Sequence, residues 1–292
     1  MESGATLFYK ANLRKQVEMA APDPQDKSVA WFTEKLTDTQ LSPEACHLLE
    51  TYSGIPHDEV VDHIIKVRDE AWNIFPYPCI GQFRFLDLSM NQTKEYPEIL
   101  QRLEEGQRLL DMACCFGQEI RQLVADGAPS ENIYGCDLRK EYISLGYKLF
   151  GDGDRLQSHF LTADIFDESS PLTDMRGSFD MVYAGSFFHL FDYDDQLKVS
   201  TAVARLLRPK KGSMIVGRQI GAVNPGQQNH RTNPAGRMFR HNPESLRQMW
   251  QKIGDDLGVI FDVDAALHTL SDDHFGFHND DTRRIRFVIR RA

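Results

Sequence analysis

The stretch Leu109-Leu110-Asp111-Met112-Ala113-Cys114-Cys115-Phe116-Gly117 constrains this chain more than any other. An apolar run ends in a carboxylate, small residues follow, and a glycine opens a segment of helical spacing. This is the order of a first strand, a tight turn and a helix in a nucleoside-binding α/β fold. Such a turn brings backbone N–H groups close to a ligand, so bulky side chains are excluded and glycine is favoured where the helix begins. The dinucleotide fingerprint G-x-G-x-x-G needs several glycines, and only Gly117 stands here. A dehydrogenase therefore ranks below other nucleoside-binding readings.

Three further acid-bearing segments follow. Asn132-Ile133-Tyr134-Gly135-Cys136-Asp137 ends in an acid placed to accept hydrogen bonds from both hydroxyls of a ribose. In Phe160-Leu161-Thr162-Ala163-Asp164-Ile165, Asp164 is placed to accept from an adenine amino group while Ile165 packs on the ring face. Phe179-Asp180-Met181-Val182-Tyr183-Ala184-Gly185-Ser186-Phe187-Phe188-His189 reads as a central strand running into a loop over the ligand. Asp180 precedes its strand and is read as a structural residue at the strand's start, whereas Asp111, Asp137 and Asp164 lie at carboxyl ends, where ligands of open α/β sheets bind. A helix N-cap role for Asp137 is the competing reading.

Written as Asp-x-Ala-x-Cys-x-Gly, the first loop resembles the Asp/Glu-x-Gly-x-Gly-x-Gly loop of class I S-adenosylmethionine-dependent methyltransferases, with Ala113 and Cys115 in place of two glycines. The resemblance implies an α/β, Rossmann-like, mostly parallel sheet. It also implies S-adenosyl-L-methionine as cofactor, held by Asp111, Ala113, Cys115, Gly117, Asp137, Leu138, Asp164, Ile165 and Ala184. A thiol at Cys115 is tolerable if its backbone stays at φ below zero. The two replaced glycines leave a rival open, a non-catalytic methyltransferase-like protein. Retention of the ribose and adenine acids speaks against it.

The 292 residues suffice for a catalytic domain with additions, and an apolar fraction of 41% suits a globule. A net charge of −10 excludes the basic stripe that a nucleic-acid partner requires. No stretch approaches the roughly 20 apolar residues of a membrane span, and Met1–Lys10 lacks a long apolar core. The cysteines, Cys46, Cys79, Cys114, Cys115 and Cys136, are odd in number and show no zinc-ligand spacing, so no metal is expected. A reducing, cytoplasmic setting follows most simply. Without a basic neighbour in sequence, Cys114 and Cys115 read as small packing residues.

The organisation changes near residue 105. Residues 1–105 read as an N-terminal helical cap and substrate-side segment, with helical stretches at about 26–37, 43–52 and 57–73; the last carries Val60, Val61, Ile64, Ile65 and Val67 on helical spacing. These amphipathic helices leave a homodimer open as well as a cap. Phe75-Pro76-Tyr77-Pro78-Cys79-Ile80-Gly81 breaks helix, and the aromatics from there to Phe85 read as a staple between cap and core, or as a pocket lining. Residues 106–292 read as the cofactor-binding, catalytic part. Within it a helix is expected over 196–207 and a fifth strand over 213–219, with Arg218 and Gln219 at its carboxyl end. A long loop or lid over 221–240, a capped helix over 241–252 and a last strand over 285–289 follow, the last with its arginines at a solvated sheet edge.

Five strings carry a more specific resemblance: Phe83-Arg84-Phe85-Leu86-Asp87-Leu88, Cys114-Cys115-Phe116-Gly117-Gln118, Asp126-Gly127-Ala128-Pro129-Ser130-Glu131-Asn132, Ser186-Phe187-Phe188-His189-Leu190-Phe191 and Gly217-Arg218-Gln219. Over most of its length the chain resembles the small fungal methyltransferases of meroterpenoid biosynthesis, which act on farnesylated aromatic polyketide acids. The resemblance implies methyl transfer to oxygen, at a carboxylate that becomes a methyl ester.

The chemistry can also be argued from the residues. Methyl transfer from a sulfonium is an in-line displacement, which asks the protein to hold oxygen, methyl carbon and sulfur at about 3 to 3.5 Å in line. A carboxylate, with a pKa of about 4, is already ionised at neutral pH and needs no base. Charge is dispersed in the transition state, so a dry pocket assists, and Phe187 and Phe188 suit one. Arg218 is placed to steer a carboxylate, although a tight clamp would blunt its nucleophilicity, and it has the alternative of pairing with a local acid. Gln219 is a further substrate contact. For a phenol acceptor, with a pKa of about 10, His189 is the natural base; a purely structural His189 stands equally open.

Overall fold

The computed structural model describes residues 23, 26–229, 236–270 and 281–292. Strands β1 (Leu109–Met112), β2 (Ile133–Asp137), β3 (His159–Thr162), β4 (Met181–Gly185) and β5 (Met214–Ala222) pair in parallel, in the order β3-β2-β1-β4-β5. Beyond a hairpin of β6 (Gly226–Asn229) and β7 (Arg237–Arg240) come β8 (Phe261–His268) and β9 (Thr282–Arg291). β9 pairs antiparallel with β5, and β8 with β9, completing a seven-stranded sheet. This is the mostly parallel, Rossmann-like sheet expected.

The inner strands are apolar without alternation because both faces are covered. Leu109, Met181 and Met214 share one buried cluster with Tyr96, Ile99 and Leu103 of α4 (Tyr96–Glu104) and with Ile120 and Leu123 of α5 (Gln118–Ala125). Their successors Leu110, Val182 and Ile215 point to the other face. There they meet Val199 and Val203 of α8 (Tyr193–Leu206) and Leu246, Met249 and Trp250 of α9 (Pro243–Leu257).

Ahead of the sheet, α1 (Pro43–His47) is capped by the Ser42 hydroxyl and continues into a π-helical turn, Leu48–Tyr52. α2 (Val60–Ile74) buries Val60, Ile64, Val67 and Ala71 against α6 (Lys140–Phe150), in a cluster that also holds Phe85 and Phe116. At about 1.5 to 3 kcal/mol per fully buried aliphatic side chain, this stripe alone supplies several kcal/mol of docking energy. α3 (Pro78–Gly81) and a 3-10 turn, Arg84–Leu86, lead from α2 towards α4. The short α7 (Pro171–Asp174) precedes β4.

Three expectations are corrected. Residues 26–37 form turns, not a helix: the carbonyls of Thr33 and Glu34 accept from the buried Arg68 guanidinium and Trp31 Nε1 donates to Pro76 O, so tertiary partners replace helical ones. The described part of residues 221–240 is not a long loop, because β5 runs on to Ala222 and β6 pairs with β7; residues 230–235 lie outside the described residues. β9 is not the sheet edge. Its arginines reach polar partners across the covered face, Arg286 donating to Gln92 O at 3.1 Å and Arg290 to Glu98 at 2.6 and 2.9 Å. β8, which the sequence reading missed, is the edge, and its exposed Asp262, Asp264 and Ala266 alternate with more buried residues. α8 and α9 arise as expected but longer, α9 with a reciprocal cap between Asn242 and Ser245. Met1–Lys10 lies outside the described residues. Among the described residues no helix is long and apolar enough to cross a membrane.

Candidate active site

The loop after β1 has an unusual backbone. Ala113, Cys115 and Gly117 adopt left-handed φ values of +59°, +54° and +65° at alternate positions. The condition under which a thiol at Cys115 would be tolerated without strain, a φ below zero, is not met. A side chain in this region costs about 1 to 2 kcal/mol, and such strain persists only where the surroundings enforce it. Here Cys114 N donates to Cys136 O at 2.9 Å, Cys115 N to Asp137 Oδ2 at 2.9 Å and Gly117 N to Cys114 O at 2.7 Å. Gly117 is needed for space as well, since a Cβ there would stand 2.5 Å from Arg121 Nη1 and 3.0 Å from the Phe160 ring.

Asp111 is the third residue of β1, flanked in register by Gly135 and Tyr183. It is buried, and its Oδ2 has no hydrogen-bond partner among the described residues. Burial, reinforced by the negative charges of Glu119 and Asp137, pushes its carboxyl well above the usual range. Asp137 ends β2. Its Oδ1 accepts from Arg139 N at 2.9 Å, and burial raises its pKa to about 6 despite this bond and that from Cys115 N. The N-cap of α6 is Arg139, not Asp137. Leu138 beside it is 40% exposed. Asp164 lies two residues past β3 and accepts from Phe166 N at 2.9 Å, with Ile165 half-buried against the core. Asp180 anchors the opposite end of the sheet, accepting from Arg108 N at 3.0 Å.

On the next strand Ala184 is fully buried beside Gly217, whose absent side chain makes room: a Cβ there would stand 2.4 Å from Ala184 O. Ser186 then turns at φ +61° and donates its N–H to Arg218 O at 2.6 Å, pinning the following loop to β5. In that loop Phe187 and Phe188 are buried, the rings of Phe187 and Phe191 lie 5.5 Å apart, and His189 is buried in a 3-10 turn, Phe188–Leu190.

Arg218 and Gln219 do not end their strand, because pairing with β9 extends β5 to Ala222. As neighbours in a strand they point to opposite faces. Arg218 Nη2 lies 2.7 Å from Asp87 Oδ2, and Arg84 Nη2 holds the same oxygen at 2.6 Å, so Arg218 has taken the local acid. Both amide atoms of Gln219 are buried without a hydrogen-bond partner among the described residues.

The structure thus gathers Asp111, Ala113, Cys115, Gly117 and Asp137 around one loop and sets the Phe187–His189 loop beside β5. It divides Arg218 from Gln219. It also adds residues that the sequence reading did not single out. Glu119, buried in the first turn of α5, accepts from Ser89 N at 2.7 Å, Ser89 Oγ at 2.9 Å and Met90 N at 3.0 Å; Ser89 Oγ in turn lies 2.7 Å from Tyr183 OH on β4. Partners 29 to 131 positions apart leave no local signal. Segment 83–90 is thereby tied to the cofactor-type loop and to β4 and β5. The non-glycine residues with positive φ among those described are Phe83, Leu88, Ala113, Cys115 and Ser186, all on these converging segments. Strain concentrated in this way marks a functional site.

With this geometry in view, comparison with known proteins is decisive. Residues 31–86 match the model of the meroterpenoid methyltransferase N-terminal domain, and residues 109–210 that of a methyltransferase domain. The O-methyltransferase phiE of a fungal species is 42% identical over 285 residues, covering 91% of this chain and 94% of that protein. The chain belongs to the fungal meroterpenoid methyltransferase family. The O-methyltransferase atr3 of Stereocaulon alpinum is 41% identical, covering 91% of this chain and 77% of that protein. The asnovolin E/chermesin D methyltransferase nvfJ of Aspergillus novofumigatus is 42% identical, covering 77% and 81%. In fold, the chain is similar to an N-methyltransferase of Haemonchus contortus solved with S-adenosylhomocysteine, with a TM-score of 0.50 at 14% identity over 74% of this chain and 58% of that one. The protein is an S-adenosylmethionine-dependent O-methyltransferase of the class I fold.

The site fits this donor. S-adenosylmethionine carries a sulfonium and an ammonium, and the unpartnered Asp111 oxygen belongs to a buried carboxyl that the negative charges of Glu119 and Asp137 push still further above its usual range. A cation with N–H donors relieves both the repulsion and the missing hydrogen bond.

Proposed function

We propose that the protein methylates the carboxylate of a farnesylated aromatic polyketide acid, giving a methyl ester. Residues 1–105 form its substrate-side cap and residues 106–292 its catalytic part. Asp111 and the backbone of Ala113, Cys115 and Gly117 take the methionine end of the donor, and Asp137 its ribose. Leu138, Asp164 and Ile165 take the adenine, and Ala184 lies beneath the sulfonium. Phe187 and Phe188 exclude water from the acceptor.

One observation carries the choice of a carboxylate. The charged group nearest in sequence, Arg218, is already engaged by Asp87, while Gln219 beside it keeps a buried, unpartnered amide. A neutral amide donor orients a carboxylate without the charge-assisted grip that would blunt its attack. Arg218, on the opposite face of β5, then acts by fixing β5 and Asp87. Because the acceptor is already ionised, His189 is not required as a base.

Kinetics of His189→Ala test this reading. Esterification should fall by less than about tenfold, the rate staying level above the acceptor's own pKa, since general-base catalysis is worth about 100- to 10,000-fold where it operates. A loss of the larger size, together with a rate that climbs with pH in the mutant, would assign His189 as base and favour a phenol.

A further inference from the structure

The amino-terminal helices carry a cluster that the active site does not use. Cys46 in α1 and Glu50 in the π-helical turn stand one turn apart on the same face. The chain then doubles back through Ser53-Gly54-Ile55-Pro56, with Gly54 at φ +69°, and delivers His57 over that face. Cys46 Sγ lies 3.2 Å from Glu50 Oε1, and His57 Nδ1 hydrogen-bonds the same oxygen. One ligand atom from each of the three lies within 4.8 Å of the others.

We propose that Cys46, Glu50 and His57 form a binding site for a divalent, borderline-soft cation, zinc foremost, with water completing a tetrahedron. The ligand atoms of a tetrahedral zinc stand about 3.3 to 3.8 Å apart, given bonds of about 2.0 to 2.3 Å, so the three side chains close on an ion with small rotations. A thiolate with an imidazole and one carboxylate selects zinc over the oxygen-seeking magnesium and calcium. The ion replaces the protons that now lie between sulfur, nitrogen and the shared oxygen, so binding releases protons. Solvent reaches the site, the His57 side chain being 86% exposed and that of Glu50 31%. The mixed ligand set explains why cysteine spacing alone pointed to no metal.

Bound there, the ion clamps the turn between α1 and α2. The π-helical turn buries Leu48 and Leu49, and α2 buries Val60 and Ile64, in the cluster that supports Phe116 of the cofactor loop. The effect is on the stability of the cap and not on the chemistry of methyl transfer.

The test is titration of the chelator-treated, full-length protein with cobalt(II), a spectroscopic stand-in for zinc, and then with zinc. One equivalent of cobalt should give a sulfur-to-metal charge-transfer band. Cys46→Ala should abolish the band, whereas Cys79→Ala, at an exposed thiol outside the cluster, should keep it. His57→Ala, a surface change that leaves the core intact, should weaken binding at least about tenfold. Zinc should raise the unfolding temperature of the parent but not of Cys46→Ala. Absence of a thiolate band at saturating cobalt, or equal zinc stabilisation in Cys46→Ala, would overturn the site.

Discussion

Replacing Asp137 tests how the donor is held. Its two oxygens already accept from Cys115 N and Arg139 N, each at 2.9 Å. A carboxylate offers about four lone-pair sites, which leaves two for ribose hydroxyls. Asp137→Ala removes all four interactions. Allowing for water released and regained, the loss in S-adenosylmethionine affinity should be about 1 to 3 kcal/mol, or roughly 5- to 150-fold. The pKa of about 6 adds a second readout. Because the folded value lies above the ordinary 3.8, ionising Asp137 costs folding stability, a cost that develops as pH rises from about 4 to 6 and is absent below. The bound cation favours the ionised form. Donor affinity is therefore full above about pH 6 and declines as pH falls through it, by about tenfold at pH 5 if binding returns the pKa to near 4. Calorimetric titration of the parent, Asp137→Ala and Asp137→Asn between pH 5 and 7.5 measures both effects. Parent-like affinity in a folded Asp137→Ala protein, or the same pH dependence in Asp137→Asn, would refute the reasoning.

Two other substitutions probe the strained backbone and the strap over it. Ala113→Gly should stabilise the fold by about 0.5 to 1 kcal/mol, relief of the left-handed penalty exceeding the entropy that glycine loses, whereas Ala204→Gly within α8 should destabilise it; equal destabilisation in urea unfolding would contradict the strain at Ala113. Glu119→Gln turns an amide donor towards either Ser89 or Met90 and should loosen segment 83–90, raising KM for the acceptor more than it lowers kcat at saturating donor; unchanged kinetics would show that the strap is held without this carboxylate.

The parts of the molecule legible in the sequence are those where local chemistry and tertiary role agree. Leu109–Asp111, Ile133–Asp137 and Met181–Gly185 are strands buried on both faces, so their apolar runs announce them, and the glycine and small residues after β1 announce the loop. Asn242-Pro243 announced a helix start because a cap is a short-range hydrogen bond. What stayed hidden depends on distant partners. β9 looked like a solvated edge because arginines fill it, yet Arg290 lies against Glu98, 192 positions away. Residues 26–37 looked helical until Arg68 claimed their carbonyls. The positive φ at Cys115 was invisible because the Asp137 carboxylate, 22 positions on, and the backbone of Cys136, which holds Cys114, impose it. The Arg84–Asp87–Arg218 chain and the Glu119–Ser89–Tyr183 chain were unreadable for the same reason, although Arg218 itself was singled out.

The identity of the acceptor oxygen decides which reaction the protein catalyses. Incubation of the protein with S-adenosylmethionine and a farnesylated aromatic acid that carries both a carboxyl and a phenol, followed by mass spectrometry before and after mild alkali, reads it directly. A product heavier by one methyl group that alkali returns to the starting acid is the predicted result. A methylated product that survives alkali would place the methyl on the phenol and contradict the carboxylate assignment.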